Sequence, residues 1–149
     1  MRLRFRERRP GATLLEFAVV CPLVMMLLFS TIVGGLGVFR YQQVAALARQ
    51  GARYASVHGA QYAKEKGQPA ATATDIAANI VQANATALKP SLLTCTVTWN
   101  SSNRPLTTTD FDDPVGNTVT VKVTYQWFPE AYLAGPITLT SSSTAQILY

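Results

Sequence analysis

From Phe17 to Phe39 the chain carries no Asp, Glu, Lys, Arg, His, Asn or Gln, and this uninterrupted run constrains the fold more than any other feature. Wound as a helix, the run reaches roughly 35 Å, enough for a bilayer core of about 30 Å. The expectation is one membrane-crossing helix. Arg2, Arg4, Arg6, Arg8 and Arg9 precede it with only Glu7 against them, whereas Arg40, Arg49 and Arg53 follow more sparsely. The positive-inside tendency places the N-terminus in the cytoplasm and the body of the chain outside. An ordinary secretory signal would close a shorter apolar region, of roughly 7 to 15 residues, on a small-x-small cleavage site. Val33-Gly34-Gly35-Leu36-Gly37 is a poor substitute for such a site.

A carboxylate, Glu16, stands directly before this run. At the centre of a bilayer it would cost about 2.5 to 3.5 kcal/mol, less near the interface, and a residue with that cost usually has a partner. Inside the run, Pro22 removes one helical donor and predicts a kink. Ser30, Thr31, Gly34, Gly35 and Gly37 give small-xxx-small spacings at 30/34 and 31/35, which permit close helix approach.

Gly11-Ala12-Thr13-Leu14-Leu15-Glu16-Phe17 resembles a type IV prepilin-type cleavage region, in which a membrane peptidase cuts after the glycine and leaves the glutamate fifth in the mature chain. The longer stretch Gly11 to Leu28, GATLLEFAVVCPLVMMLL, resembles the start of TadE-like proteins. Ala46 to Ala55, ALARQGARYA, is similar to that family's second signature, with Gln50 where an acidic residue is often found. The resemblance implies a minor pilin or pseudopilin of a bacterial tight-adherence (Flp-type) pilus and secretion system. Its implied partners are the inner membrane, a prepilin peptidase, other pilins and pilus assembly proteins. Cleavage between Gly11 and Ala12 would free an ammonium group on Ala12. Glu16 of a neighbouring subunit could pair with it and set the axial register, with Pro22, Gly34 and Gly35 shaping the helical bundle.

The amphipathic pattern extends beyond the membrane run. Tyr41, Val44, Ala45, Ala48, Ala52 and Ala55 form one helical stripe, and joining the two patterns predicts a single helix of roughly 45 residues. Gly59 to Ala71, with Lys64-Glu65-Lys66-Gly67-Gln68-Pro69, reads as a surface loop. Thr72 and Asp75 approximate a capping box that opens a second helix. Its expected buried side is Ala73, Ile76, Ala77, Ile80, Val81, Ala87 and Leu88, interrupted by Asn84 as an interior polar contact and ended by Pro90. Strict alternation marks strands over Leu93 to Trp99 and Val119 to Trp127, and Ile137 to Tyr149 is a weaker third. The expected architecture is α+β and pilin-like, a long helix packed on a small antiparallel sheet with a second helix. It divides into a basic leader at 1–11, a membrane helix at 12–39, its amphipathic continuation at 40–58 and an extracytoplasmic domain at 59–149.

Charge and chemistry narrow the function classes. The net charge of +5 sits mostly in the leader, whose removal leaves 8 basic and 7 acidic residues, so nucleic-acid binding is not expected. Cys21 lies in the membrane run and Cys95 on a core strand, placements that do not suit an intramolecular bridge. His58 is the sole histidine, beside the Gly59 loop, and no metalloprotease, nucleophile-elbow, Walker or dinucleotide motif is present. Asp110-Phe111-Asp112-Asp113 is too short alone to supply the six to eight oxygens of a Ca²⁺ cage. The expectation is no enzyme, metal, cofactor or small-molecule substrate. A second reading, from a different class, is an uncleaved anchor that presents the C-terminal domain as an adhesin or a docking partner of secretion machinery.

Overall fold

The computed structural model describes residues 10–100, 117–129 and 135–147. Among them the chain is α+β, with a long N-terminal apolar helix, shorter helical segments and a three-stranded antiparallel sheet. It divides into two compact units after Leu36.

Helix α1 runs from Pro10 to Val57 and passes through Pro22. Within the first unit the side chains of α1 are almost all exposed, Leu14, Phe17, Met26 and Leu27 among them. The most apolar stretch has none of its residues buried, and α1 is long and apolar enough to cross a membrane.

The second unit begins at Gly37. Here α1 buries Val44, Ala45, Leu47, Ala48, Ala52 and Ala55, while Arg49, Gln50 and Arg53 face outward. Strand β1 spans Leu93–Trp99, β2 Thr118–Trp127 and β3 Ile137–Gln146, with β2 central. Register pairs Val97 with Val121 on one side of β2, and Val121 with Ser143 on the other. Val119, Val121, Val123, Tyr125 and Trp127 are all buried, as period-two alternation requires of the middle strand.

Three contacts fix how β2 lies along the helix. A Cβ on Gly37 would meet the Trp127 ring at 2.6 Å, Arg40 Nη1 donates to the Tyr125 hydroxyl at 3.3 Å, and a Cβ on Gly51 would meet Val121 at 3.1 Å. Helix number rises as strand number falls, so β2 runs antiparallel to the helix. The advance from 37 to 51 is roughly 21 Å of helix and that from 127 to 121 roughly 20 Å of strand, so the two elements stay in step.

Two segments depart from the sequence expectation. The stretch read as a loop contains helix α2, Ala60–Lys66, closed by Gly67 in the left-handed conformation with its N–H on the Ala63 carbonyl at 3.0 Å. Ala71 N donates to His58 O at 2.9 Å, so α2 is an excursion whose two ends meet. The capping box forms as expected: Asp75 N donates to Thr72 Oγ1 at 3.2 Å, and Thr72 N to Asp75 Oδ2 at 3.1 Å. The helix it opens is short, however. After α3, Ala73–Asp75, the coil widens to a π-helix over Ile76–Gln82 and gives way to turns before a 3₁₀ turn at Pro90–Leu92.

The wider coil also changes the buried set. A π turn bonds residues five apart, which brings Ile76 and Val81 to the core. Ala73 and Ala87 are exposed, and Ala77 and Ile80 only half-buried. Asn84 is not an interior contact. It is exposed, and its Nδ2 donates to Ile80 O at 2.7 Å, capping the widened turn.

Candidate functional site

The residues singled out for processing and assembly, Gly11, Ala12, Glu16, Pro22, Gly34 and Gly35, all lie on α1 before Gly37. Helical spacing puts position 12 one turn before Glu16 on the same face. Glu16 is exposed and lines a shallow depression with Thr13, Phe17 and Val20, so the only carboxylate of this part of α1 is flanked by apolar side chains. An added Cβ at Gly11, Gly34 or Gly35 meets no atom within 4 Å, which leaves these backbone surfaces open to another molecule.

The hydroxyls in the apolar run are satisfied locally. Ser30 Oγ donates to Met26 O at 2.8 Å and Thr31 Oγ1 to Leu27 O at 2.9 Å, each one helical turn back. They bring small size to a helix surface without an unpaired donor. Gly37 stands apart from the other small residues: its missing side chain makes room for Trp127.

The second signature segment, Ala46 to Ala55, has a packing role. Gly51, Ala52 and Ala55 are buried, and Gly51 approaches Val121, Ile76 and Val81 together. Any side chain there would separate the helix from both β2 and the π segment. Arg49, Gln50 and Arg53 point outward, so the polar residues of the segment are available at the surface.

Two polar clusters emerge that sequence reading did not assemble. His58, read in the sequence only as a lone histidine beside the Gly59 loop, is half-buried and lies between Tyr54 and Tyr62, with ring centroids at 4.1 and 4.8 Å. Its Nδ1 is 3.0 Å from Tyr54 O. Their spacing of four residues was the available signal. Near the start of the second unit, Arg40 stacks over Trp127 at 5.8 Å from the ring centroid and reaches Tyr125. No local pattern links positions 40 and 125.

Cys21 and Cys95 are both free thiols. Burial pushes the Cys95 thiol up from its usual value, favouring the neutral form on β1. The Asp110 to Asp113 cluster lies outside the described residues.

In comparison with known families, residues 11–53 match the model of the family described as TadE-like protein. The matched stretch starts at the proposed cleavage glycine, contains both signature segments and ends within α1. No curated protein and no solved structure matches the chain.

Proposed function

We propose that this chain is a prepilin-type structural subunit, a minor pilin or pseudopilin of a tight-adherence pilus and secretion system. The observation that carries the reading is the TadE-like match over residues 11–53, which begins at Gly11 and takes in Glu16 on an apolar, uncovered helix. In this reading the arginine-rich leader holds the precursor in the inner membrane with its N-terminus in the cytoplasm, and the second unit lies in the periplasm. A prepilin peptidase cuts between Gly11 and Ala12, and the freed helix joins other pilins in a fibre or pseudopilus.

The chemistry of assembly follows from the cost of an isolated charge in lipid. Glu16 pairs with the new ammonium of Ala12 on a neighbouring subunit, neutralising two charges at once and fixing the axial offset between helices. Pro22 frees a carbonyl that a neighbouring helix can re-satisfy, and Gly34 and Gly35 let backbones approach.

The test is the N-terminal residue and intact mass of the protein purified from membranes of cells with and without the cognate peptidase. A peptidase-dependent start at Ala12 is the expected result. An intact leader in both strains would replace this reading with that of an uncleaved membrane-anchored binding module.

A further inference from the structure

Helix α2 buries none of its residues, yet three local locks hold it and the chain that follows in place. Gly67 closes it in the left-handed conformation, Ala71 N donates to His58 O at 2.9 Å, and Thr72 and Asp75 form their capping box. Between these locks lies a cavity of about 310 Å³, wholly within the second unit and lined in part by Tyr54, His58, Tyr62, Gln68, Asp75 and Asn79. Such a volume is at the small end of ligand pockets, roughly 300 to 1,000 Å³, and suits one ring-sized occupant. Fixing a segment that adds no buried residue to the core is what a preformed pocket wall requires.

The hydrogen bonds already made decide what the walls offer. Nδ1 of His58 lies 3.0 Å from Tyr54 O, and since a carbonyl only accepts, that nitrogen carries the proton and Nε2 of the neutral ring is an acceptor. The Tyr62 hydroxyl donates to Gln68 Oε1 at 3.1 Å, which orients the amide and turns its NH₂ group into the donor of that wall. Asp75 receives the Thr72 backbone and hydroxyl donors on Oδ2, and its other carboxylate oxygen has accepting capacity of its own. Asn79, exposed on the π segment, brings both an amide donor and an amide acceptor. Tyr54 stacks on His58 with 18° between the ring planes and Tyr62 tilts against it at 54°, so aromatic carbon stands among these polar atoms.

Donors and acceptors interleaved with aromatic carbon match a ring whose rim carries hydroxyls, each both donor and acceptor, and whose faces are C–H. We propose that this cavity binds one neutral pyranose unit of a carbohydrate. Sugar hydroxyls donate to Asp75 Oδ1 and His58 Nε2 and accept from the Gln68 and Asn79 amides, while a C–H face of the ring lies against Tyr62. A quaternary ammonium would also use the rings and the carboxylate, but it would leave the two amides and His58 Nε2 without a partner in the occupied site. The site is independent of leader cleavage and of how α1 meets a membrane, and it gives the second unit a ligand of its own.

The experiment uses the full-length chain in a polyoxyethylene detergent, which has no sugar headgroup, and saturation-transfer-difference NMR. The probes are the methyl pyranosides of glucose, galactose, mannose and N-acetylglucosamine. A saturable titration is expected with at least one of them, with transfer strongest at the ring C–H protons. Asn79→Ala, an exposed change that favours helix, should weaken that binding about fivefold, the loss of one hydrogen-bonding amide. Tyr62→Ala should weaken it by a similar factor through the lost ring face, with circular dichroism checking that the sheet is retained. If Tyr62→Ala does not fold, Asn79→Ala decides the matter. Unchanged affinity in either folded variant would overturn the proposal, as would the lack of saturable binding to all four glycosides. Tetramethylammonium chloride is the rival probe, and saturable binding of this cation with none of the glycosides would identify a cation pocket instead.

Discussion

Two glycines on α1 do opposite things. Gly37 is full of its neighbour: the nearest Trp127 ring carbon would lie 2.6 Å from an added Cβ. Gly37→Ala gains about 1 kcal/mol of helix propensity but forces Trp127 to move, an overpacking cost of about 1 to 3 kcal/mol. The expected net result is a lower midpoint in thermal unfolding of the full chain in detergent. Gly34→Ala, where the space is open, should leave that midpoint unchanged or raised. A further residue-scale effect comes from Asp75, whose carboxyl is held below its ordinary value by the side-chain and backbone hydrogen bonds of Thr72. With the folded value lowered, the stabilisation is complete above the unfolded value near 3.8 and is lost as pH falls through the folded one. Asp75→Asn should therefore flatten the acid limb of a stability profile measured by circular dichroism and leave the neutral region nearly unchanged in slope.

Among the elements, the π segment makes the sharpest prediction. If α3 continued as an α-helix, Ile76 would share its face with Ile80; the wider coil selects Val81 instead, fully buried against a half-buried Ile80. Val81→Ala should thus destabilise more than Ile80→Ala, although it removes fewer atoms, and Ile76→Ala should cost about 2 to 5 kcal/mol in denaturant unfolding. This difference also explains what could be read in advance. Val119 to Trp127 alternates strictly and could only be a half-buried strand, and Thr72 with Asp75 announced a cap by residue type and spacing. Widening to a π-helix leaves no comparable trace in residue order, and the polar Lys64-Glu65-Lys66 resembles a loop because α2 has no buried face to pattern it. The spacing from Gly11 to Glu16 is local and so can be noticed in the sequence, whatever role the two residues have. The approach of Arg40 to Tyr125 and Trp127 could not, since only the pairing of distant elements creates it.

At the scale of the whole molecule, the buried core among the described residues falls after Gly37, while before it the apolar surface of α1 is uncovered. A chain shortened to residues 37–149 should therefore remain folded, with the antiparallel-sheet signature in circular dichroism, and should leave the membrane fraction on alkaline extraction. Conversely, Gly34→Leu in the full chain should preserve folding and membrane retention yet lower incorporation into fibres, as counted by immunogold labelling of sheared material. Glu16→Gln should give the same separation of anchoring from assembly.

The outward face of the sheet carries its own consequence. Thr120 and Thr144 place their hydroxyl oxygens 2.9 Å apart across β2 and β3, and Thr124 and Thr140 3.3 Å apart. Each couple spends one donor and one acceptor internally and still offers water one donor, while the exposed Lys122 stands between Thr120 and Thr124 on β2. The outward face is therefore a wet one whose paired threonines hold each other's side chains in place across the two strands.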